Sequence, residues 1–599
     1  MLKLLKRFSK KEIILVLVCL LFIIGQVWLD LKMPDYMSNI TRLVQTEGTE
    51  VIEILEQGIY MLLCAGGSLI FACIVGYFAS FLSSSFSKEL RYDLFCKVGD
   101  FSMAEMNKFS ISSLITRTTN DVTQVEMLIA MGLQLIIKAP ITAVWAVMKI
   151  LGKNLLWSEI TGGAVIILLL TIGILMKFVY PNFKKVQNLI DNVNNVTREN
   201  LTGLRVVRAF NAEKYQENKF ELENTELTRL QTFNQRMMSI MSPMMYLIMN
   251  GLTLAIYFTG AFLIEQAGMA DKINIFSDMV VFSSYAMQVI MSFLMLAMIF
   301  MMYPRAAVSA GRILEVLNSK ISIISGTKKE GKTGITGELE FKNVSFKYPD
   351  SNEYTIKDIS FKANKGETIA IIGSTGSGKS TLINLIPRFF DTTEGEVLVD
   401  GVNVKEYDQE VLHNKLGYVP QKAVMFSDTV LGNVDYGENG KEKKSEEQIK
   451  KAIEVAQGTE FVEKMEDKYN SHIAQGGSNI SGGQKQRLSI ARAIARDPEI
   501  YIFDDSFSAL DYKTDFKLRK DLKKYTKNAT SIIVAQRIGT VIHADKIIVL
   551  DEGKCVGIGT HKELLKNCNT YKEIAYSQLS KEELENAWSK TCTKKCWSK

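Results

Sequence analysis

A chain of 599 residues is too long for one hydrophobic core, since single domains usually hold roughly 100 to 200 residues. Its 47% hydrophobic and 23% charged residues average two unlike halves, with long apolar runs up to residue 305 and a charged, soluble α/β pattern after it. The net charge of +6 reads as the positive-inside bias of a membrane protein, with no nucleic-acid partner, and the apolar runs exclude a soluble enzyme.

About 20 apolar residues span a bilayer as a helix. Six such windows run near residues 12–32, 59–82, 128–150, 159–180, 240–265 and 277–302. The first follows "MLKLLKRFSKKE", which holds five basic residues. That start looks like a signal peptide, but "IILVLVCLLFIIGQVWL" is long for one and no small-x-small cleavage site follows. It reads as a retained helix with a cytoplasmic N-terminus. Residues 31–58 carry only Lys32 and Arg42 as cations, which suits the outer side. Six spans return the chain inside, so everything from Arg305 onward is expected in the cytoplasm beneath the cell membrane.

The eight cysteines form no disulfide framework: Cys19, Cys64 and Cys73 sit in membrane windows, and Cys96 and Cys555 fall on the reducing side. Inside the membrane, Gln134 and Lys138 in the third window and Gln288 in the sixth are candidates to line a cavity, although helix packing explains them too. The Met-rich "MQVIMSFLMLAMIFMMYP" offers either an adaptable wall or lipid-facing filler. Pro140 and Pro243 are potential kinks.

The outer links near 151–158 and 266–276 are short, whereas the inner ones, 83–127 and 181–239, are far too long for turns. Each inner link has one interior glycine, Gly99 or Gly203, and is dense in helix formers, which predicts helical hairpins reaching roughly 30 Å into the cytoplasm. Within them lie "SSLITRTTNDVTQVEMLI" (112–129) and "LTGLRVVRAFNAEKYQENKF" (201–220). Taken alone these are amphipathic helices with solvated basic faces. Arg117, Asn120 and Asp121 in the first, and the closing helix of the second, resemble the intracellular loops of ATP-binding-cassette (ABC) exporters.

A Gly-, Ser-, Thr- and Lys-rich linker, 318–338, separates this membrane domain (1–317) from a nucleotide-binding domain expected over 339–580. There "ETIAIIGSTGSGKSTLINLI" gives a buried strand, a glycine-rich turn and a helix in succession, the context a phosphate-binding loop requires. Gly373, Ser374, Thr375, Gly376, Ser377, Gly378, Lys379, Ser380 and Thr381 are the expected cradle for ATP. Backbone amides face the phosphates, Lys379 reaches the β- and γ-phosphates, and the Ser380 hydroxyl binds Mg²⁺. Asp504 ends the matching strand in "YIFDDSFSALD" and is expected to hold Mg²⁺ through water. The final stretch, 581–599, with Cys592 and Cys596, reads as a disordered tail more readily than as a metal site.

Phosphate loops occur in several enzyme classes. "NISGGQKQRLSIARAIA" (479–495) selects among them, because it resembles the ABC signature, with Ser481, Gly482, Gly483 and Gln484 on its core positions. The resemblance implies that this turn caps the γ-phosphate of ATP held by an opposing domain, so that the site is completed by a second half-transporter. It also implies that Tyr348 stacks on adenine, that Gln421 senses Mg²⁺, and that Asp511 closes the "SALD" loop.

Two positions depart from the family pattern. Asp505 stands where a catalytic glutamate is usual, and Gln536 where a histidine contacts the γ-phosphate. Aspartate is one methylene shorter, and a displacement of ~1 Å can cost ~100-fold in rate. Glutamine donates a hydrogen bond but carries no proton or charge. The fold expected is a multidomain membrane protein, a six-helix all-α transmembrane domain followed by an α/β P-loop domain. The function expected is ATP-driven export of hydrophobic or amphipathic compounds by a heterodimer with one degenerate and one competent site. A homodimer, an ATP-gated regulatory subunit and an exporter-fold importer are the alternatives.

Overall fold

The structure, a computed structural model, describes all residues except 1, 47, 152–154, 439, 441 and 580–599, so the 581–599 tail with Cys592 and Cys596 lies outside it. The chain divides into two compact units: Met1–Gly99 with Ile111–Ser319, and Asp100–Ser110 with Lys320–Lys599.

The first unit is helical. After the short α1 (Leu2–Leu5), Ser9 caps α2 (Lys10–Gln45) reciprocally with Glu12, which satisfies the free amides where the basic N-terminus gives way to apolar sequence. Then follow α3 (Val51–Gly99), α4 (Met103–Lys108, which belongs to the second unit), α5 (Ile111–Thr118), α6 (Asn120–Leu151), α7 (Leu155–Thr202), α8 (Leu204–Ala209), α9 (Glu213–Gln266) and α10 (Met269–Leu317). Among the described residues six helices are long and apolar enough to cross a membrane, and each holds one of the windows read from hydropathy. They run well beyond those windows. At 1.5 Å per residue the 49 residues of α3 extend about 70 Å, more than twice the ~30 Å of a hydrocarbon core. The arms of the two long hairpins are thus unbroken continuations of the spans. Pro140 and Pro243 lie within α6 and α9, which continue through both.

The helices share one core in which Ile23, Val27 and Leu31 of α2 meet Val75 of α3, Ile150 of α6, Ile256 of α9 and Phe282 and Tyr285 of α10. Trp157 of α7 is buried there and donates its indole N–H to Thr259 of α9 at 3.1 Å. Toward the C-terminal end of α10, Arg117 donates to Glu315 at 2.7 Å and to the Arg312 carbonyl at 2.8 Å, while Asp121 accepts from Ser309 at 2.8 Å and pairs with Arg312. Arg117 and Asp121 therefore fasten α5 and α6 to the end of α10.

The second unit holds two main sheets. One is antiparallel, in the order β2 (Ile356–Ala363), β1 (Leu339–Phe346), β4 (Glu394–Val399), β5 (Val402–Asn403). The other runs β12 (Lys554–Gly559), β11 (Lys546–Asp551), β3 (Thr368–Gly373), β10 (Thr530–Val534), β9 (Ile500–Asp504), β6 (Leu416–Val419), parallel except for β12. A two-residue ladder joins β7 (Asp428–Thr429) to β8 (His472–Ile473). The central strands are buried on both faces, as parallel strands require. Ala370, Ile372, Tyr501, Phe503 and Ile533 point into one core, and Ile369, Ile371, Ile500, Ile502, Ile532 and Val534 into the other. Helices α11 (Lys379–Asn384), α12 (Gln409–Asn414), α13 (Val430–Val434), α14 (Glu446–Val455), α15 (Thr459–Val462), α16 (Gly482–Arg496) and α17 (Tyr512–Tyr525) connect and cover the strands.

Helix α4 comes from the first long hairpin, between α3 and α6, yet packs within this unit. Ser102 and Glu105 cap it, Glu105 accepts from the Ser322 amide at 3.3 Å, and Ala104 lies against the antiparallel-sheet core. The linker is partly pinned here: Gly326 donates to the Tyr407 carbonyl at 2.8 Å, and Lys332 to that of Asp400 at 2.9 Å.

Asp400 is fully buried, accepts from the Glu338 amide at 3.0 Å and meets the Lys415 ammonium at 2.7 Å; Lys415 also reaches Glu499 at 2.9 Å. The three charges join the ends of β4, β6 and β9. Lys415→Met leaves Asp400 buried without its cation and is expected to destabilise this unit by roughly 3–5 kcal/mol, seen as a lower unfolding midpoint of the full-length protein; an unchanged midpoint refutes the role of the pair.

Candidate functional site

Register assembles the site. Pairing β3 and β9 in parallel on either side of β10 sets Ile371 and Asp504 both opposite Val534, while β6 sets Val419 opposite Phe503. The segments leaving these strands, the 373–378 loop, Gln421, Asp504–Asp505 and Gln536, therefore emerge along one sheet edge. That carboxyl edge, where strands give way to loops, is the usual ligand position in open α/β sheets.

In the 373–378 loop, a Cβ on Gly373 would collide with the Leu550 carbonyl, and Gly378 adopts φ 91° as the residue that opens α11. Only glycine suits both requirements. Ser374, Thr375 and Gly376 are exposed, whereas Lys379 is buried and folds its ammonium back onto the carbonyls of Gly373 (3.0 Å) and Ser374 (2.6 Å). Burial pushes the Lys379 ammonium below its ordinary pKa, against the opposing pull of Asp505 and Asp504.

Ser380 donates to Asp504 at 2.9 Å. Asp504 is buried, and burial raises its carboxyl, the charge of Asp505 adding to the rise while Ser380 and Lys379 oppose it. A hydroxyl and a carboxylate held together at the loop-helix junction are hard oxygen donors of the kind that suit Mg²⁺. Asp505 has a left-handed backbone (φ 46°), its amide donating to Val534 at 3.1 Å. Its Oδ2 accepts from the Gln536 side-chain amide at 3.0 Å. Burial raises this carboxyl as well, against Ser508, Lys379, Arg537 and Gln421. Arg537 is the member that sequence reading missed: it donates to the Ser508 carbonyl at 3.4 Å and brings positive charge near Asp505. Its place directly after Gln536 was the available signal.

The Tyr348 hydroxyl hydrogen-bonds with Thr381 at 3.0 Å, and its ring is held edge-on by Phe346 and Phe390. The aromatic thus stands beside the opening of α11. Ser481 caps α16 reciprocally with Gln484, the Gln484 amide donating at 3.3 Å and the Ser481 amide at 2.8 Å. A Cβ on Gly483 would stand 3.3 Å from the Ala509 carbonyl, so this glycine lets the helix opening approach the 506–511 loop. Asp511 caps α17 through the Thr514 amide at 3.0 Å, and that hydrogen bonding holds its carboxyl below the usual range. Among the described residues, no hydrogen bond or ion pair joins Ser481–Gln484 to Lys379, Ser380 or Asp504. One chain brings together the loop, the two aspartates and the two glutamines, and leaves the exposed opening of α16 apart from them.

Residues 356–508 match the family model for the ABC transporter and residues 14–293 that for the ABC transporter transmembrane region. An uncharacterized ABC transporter ATP-binding protein of Mycobacterium tuberculosis is 37% identical over 547 residues, covering 91% of this chain and 93% of the relative. The chain belongs to the ABC transporter family. Among other relatives of the transporter is an ATP-dependent lipid A-core flippase of Pseudomonas savastanoi, 30% identical over 83% of this chain and 81% of its own length. A bacterial Atm1-family ABC exporter with ATP bound shares the fold, with a TM-score of 0.78 over 94% of this chain and 98% of that one at 22% identity. The transporter is thus a multi-span membrane protein and an exporter-type half-transporter that works as a dimer, hydrolysing ATP in its C-terminal nucleotide-binding domain to drive transport.

The cap at the head of α16 is directly testable. Ser481→Ala removes one side-chain acceptor for a helix-end amide, which costs about 1 kcal/mol and should raise amide exchange in the first turn of α16 roughly fivefold, whereas Ser481→Asp keeps protection.

Proposed function

We propose that this chain is the degenerate-site half of a heterodimeric exporter for hydrophobic or amphipathic compounds in the cell membrane, with its nucleotide-binding domain in the cytoplasm. One observation carries the reading: the carboxylate at the base position is Asp505, and it is bound by the amide of Gln536, the residue at the switch position. A carboxylate already accepting that amide is a poorer acceptor for a proton from water. A neutral glutamine brings no positive charge to the γ-phosphate.

In this reading the amides of Gly373 through Gly378, with the Ser374, Thr375, Ser377 and Thr381 hydroxyls nearby, cradle the phosphates of ATP. Lys379 leaves the carbonyls of Gly373 and Ser374 for the β- and γ-phosphates. Ser380, Asp504 and Gln421 hold Mg²⁺, which neutralises phosphate charge, and Tyr348 stacks on adenine. Ser481 to Gln484 and Asp511 serve the partner's nucleotide, which fits the separation of the α16 opening from this chain's own loop. The partner supplies the glutamate and histidine of the faster site. The lipid named in the 30%-identical flippase favours an amphipathic, lipid-like cargo.

Lys379→Ala is expected to weaken ATP binding at least about 100-fold, measured by photolabelling, since charge-assisted contacts to two phosphates disappear. The purified homodimer should hydrolyse ATP slowly, and Asp505→Glu with Gln536→His should raise its turnover by roughly 10- to 100-fold. Rapid turnover by the unmodified homodimer would sink the heterodimer reading.

A further inference from the structure

Among the described residues of the helical unit, charged residues of α2 meet those of α6 at two places, each also touched by α10. At one, Asp35 is saturated: Lys149 reaches Oδ2 at 2.7 Å, and the fully buried Tyr285 donates to Oδ1 at 2.6 Å. That cluster reads as a fastening between helices.

The other is unfinished. Asp30 of α2 pairs with Lys138 of α6 at 3.1 Å and accepts from Ser68 of α3. Gln288 of α10 donates through its amide nitrogen to the Asp30 carbonyl at 3.4 Å, a long contact, while its own amide oxygen is buried with no partner among the described residues. Lys138 has three N–H donors and one carboxylate acceptor here, and the two charged side chains keep 25% and 21% of their surface accessible. Lys138 lies some ten residues from either end of its apolar window, which puts it roughly 15 Å from both membrane faces. Charges so deep face the interior of the bundle and mark pathways for polar groups. Contacts from three other helices, α3, α6 and α10, converge on Asp30, so the cluster lies between helices and not on the lipid side.

We propose that Asp30, Lys138 and Gln288 bind the zwitterionic head of an amphiphile, a molecule with an ammonium and an anionic group beside an apolar body. The inference rests on the reading of the chain as an amphiphile exporter and names the chemical class of its cargo. The vacant acceptor of Gln288 and the carboxylate of Asp30 call for a donor with positive charge, and the spare donors of Lys138 call for an anion. A ligand with only a cation brings it close to Lys138, and one with only an anion brings it close to Asp30, so each meets a like charge. A zwitterion inserted into the Asp30–Lys138 pair satisfies both ends and leaves no charge uncompensated in the low-dielectric interior.

The test uses the full-length protein in phosphatidylglycerol nanodiscs and follows the unfolding midpoint during titration with lysophosphatidylethanolamine, leucyl-leucine, dodecylamine or dodecyl phosphate. At least one zwitterionic probe should half-saturate at a concentration at least about tenfold below both single-charge probes, the difference expected for one charge-assisted hydrogen bond. Preference for the lysolipid identifies a lipid head group as the source, and preference for the dipeptide a free peptide. Asp30→Asn with Lys138→Gln should raise that half-saturating concentration at least about tenfold. Gln288→Leu, which removes a buried orphan acceptor and so preserves folding, should weaken zwitterion binding in the same direction. Binding that is equal across the charge classes, or indifferent to these substitutions, overturns the inference and leaves the export reading standing. No response to any probe overturns both.

Discussion

The nucleotide-binding unit depends on the parallel register of β3, β10 and β9. Residues that lie more than a hundred positions apart in sequence reach one edge because each strand ends level with its neighbour, as the pairing of Val534 with both Ile371 and Asp504 illustrates. A one-residue slip would turn Asp504 away from Ser380 and exchange the side chains of the two cores, so the apolar alternation of Ile369 to Ile372 and Ile500 to Phe503 protects the chemistry as well as the fold. Once that edge is set, Lys379 is buried beside Asp504 and Asp505; both aspartates act on the lysine, and the lysine acts on both carboxyls.

Much of this was legible in the sequence, for identifiable reasons. The strand, glycine turn and helix at 367–386 are contiguous, so their chemistry can be read without any tertiary contact. The six spans were visible because bilayer crossing is a local property of composition. The lengths of α3, α7 and α9 were less so, because hydropathy reports where lipid ends and says little about where a helix ends. Long-range pairing was hidden altogether. Lys138 and Gln288 stood out as polar residues in apolar windows, but their meeting at Asp30 depends on the packing of α2, α6 and α10. Arg117 and Asp121 looked like features of a docking loop, yet their side chains hold α5 and α6 to the end of α10. The bond between Gln536 and Asp505 likewise joins two departures from the family pattern that sequence reading could only note separately.

The same physical device serves opposite ends in the two units. Asp400 and Lys415 bury a charge pair with every oxygen and proton placed, which fixes a single arrangement. At Asp30 and Lys138 the pair is only partly enclosed and an adjacent acceptor is left over. Complete satisfaction favours permanence, and incomplete satisfaction leaves room for exchange.

The continuity of α3 has a mechanical consequence. From residue 82 to Gly99 the helix continues 17 residues past its apolar window, an arm of roughly 25 Å. A rigid rod of that length turns a tilt of about 10° into a tip displacement of ~4 Å. A glycine or proline hinge along the arm would absorb such a rotation as local bending, and between residue 83 and residue 98 there is neither. The arm therefore acts as a stiff lever: small reorientations among tightly packed spans arrive at its far end enlarged, at distances comparable to a side chain's full reach.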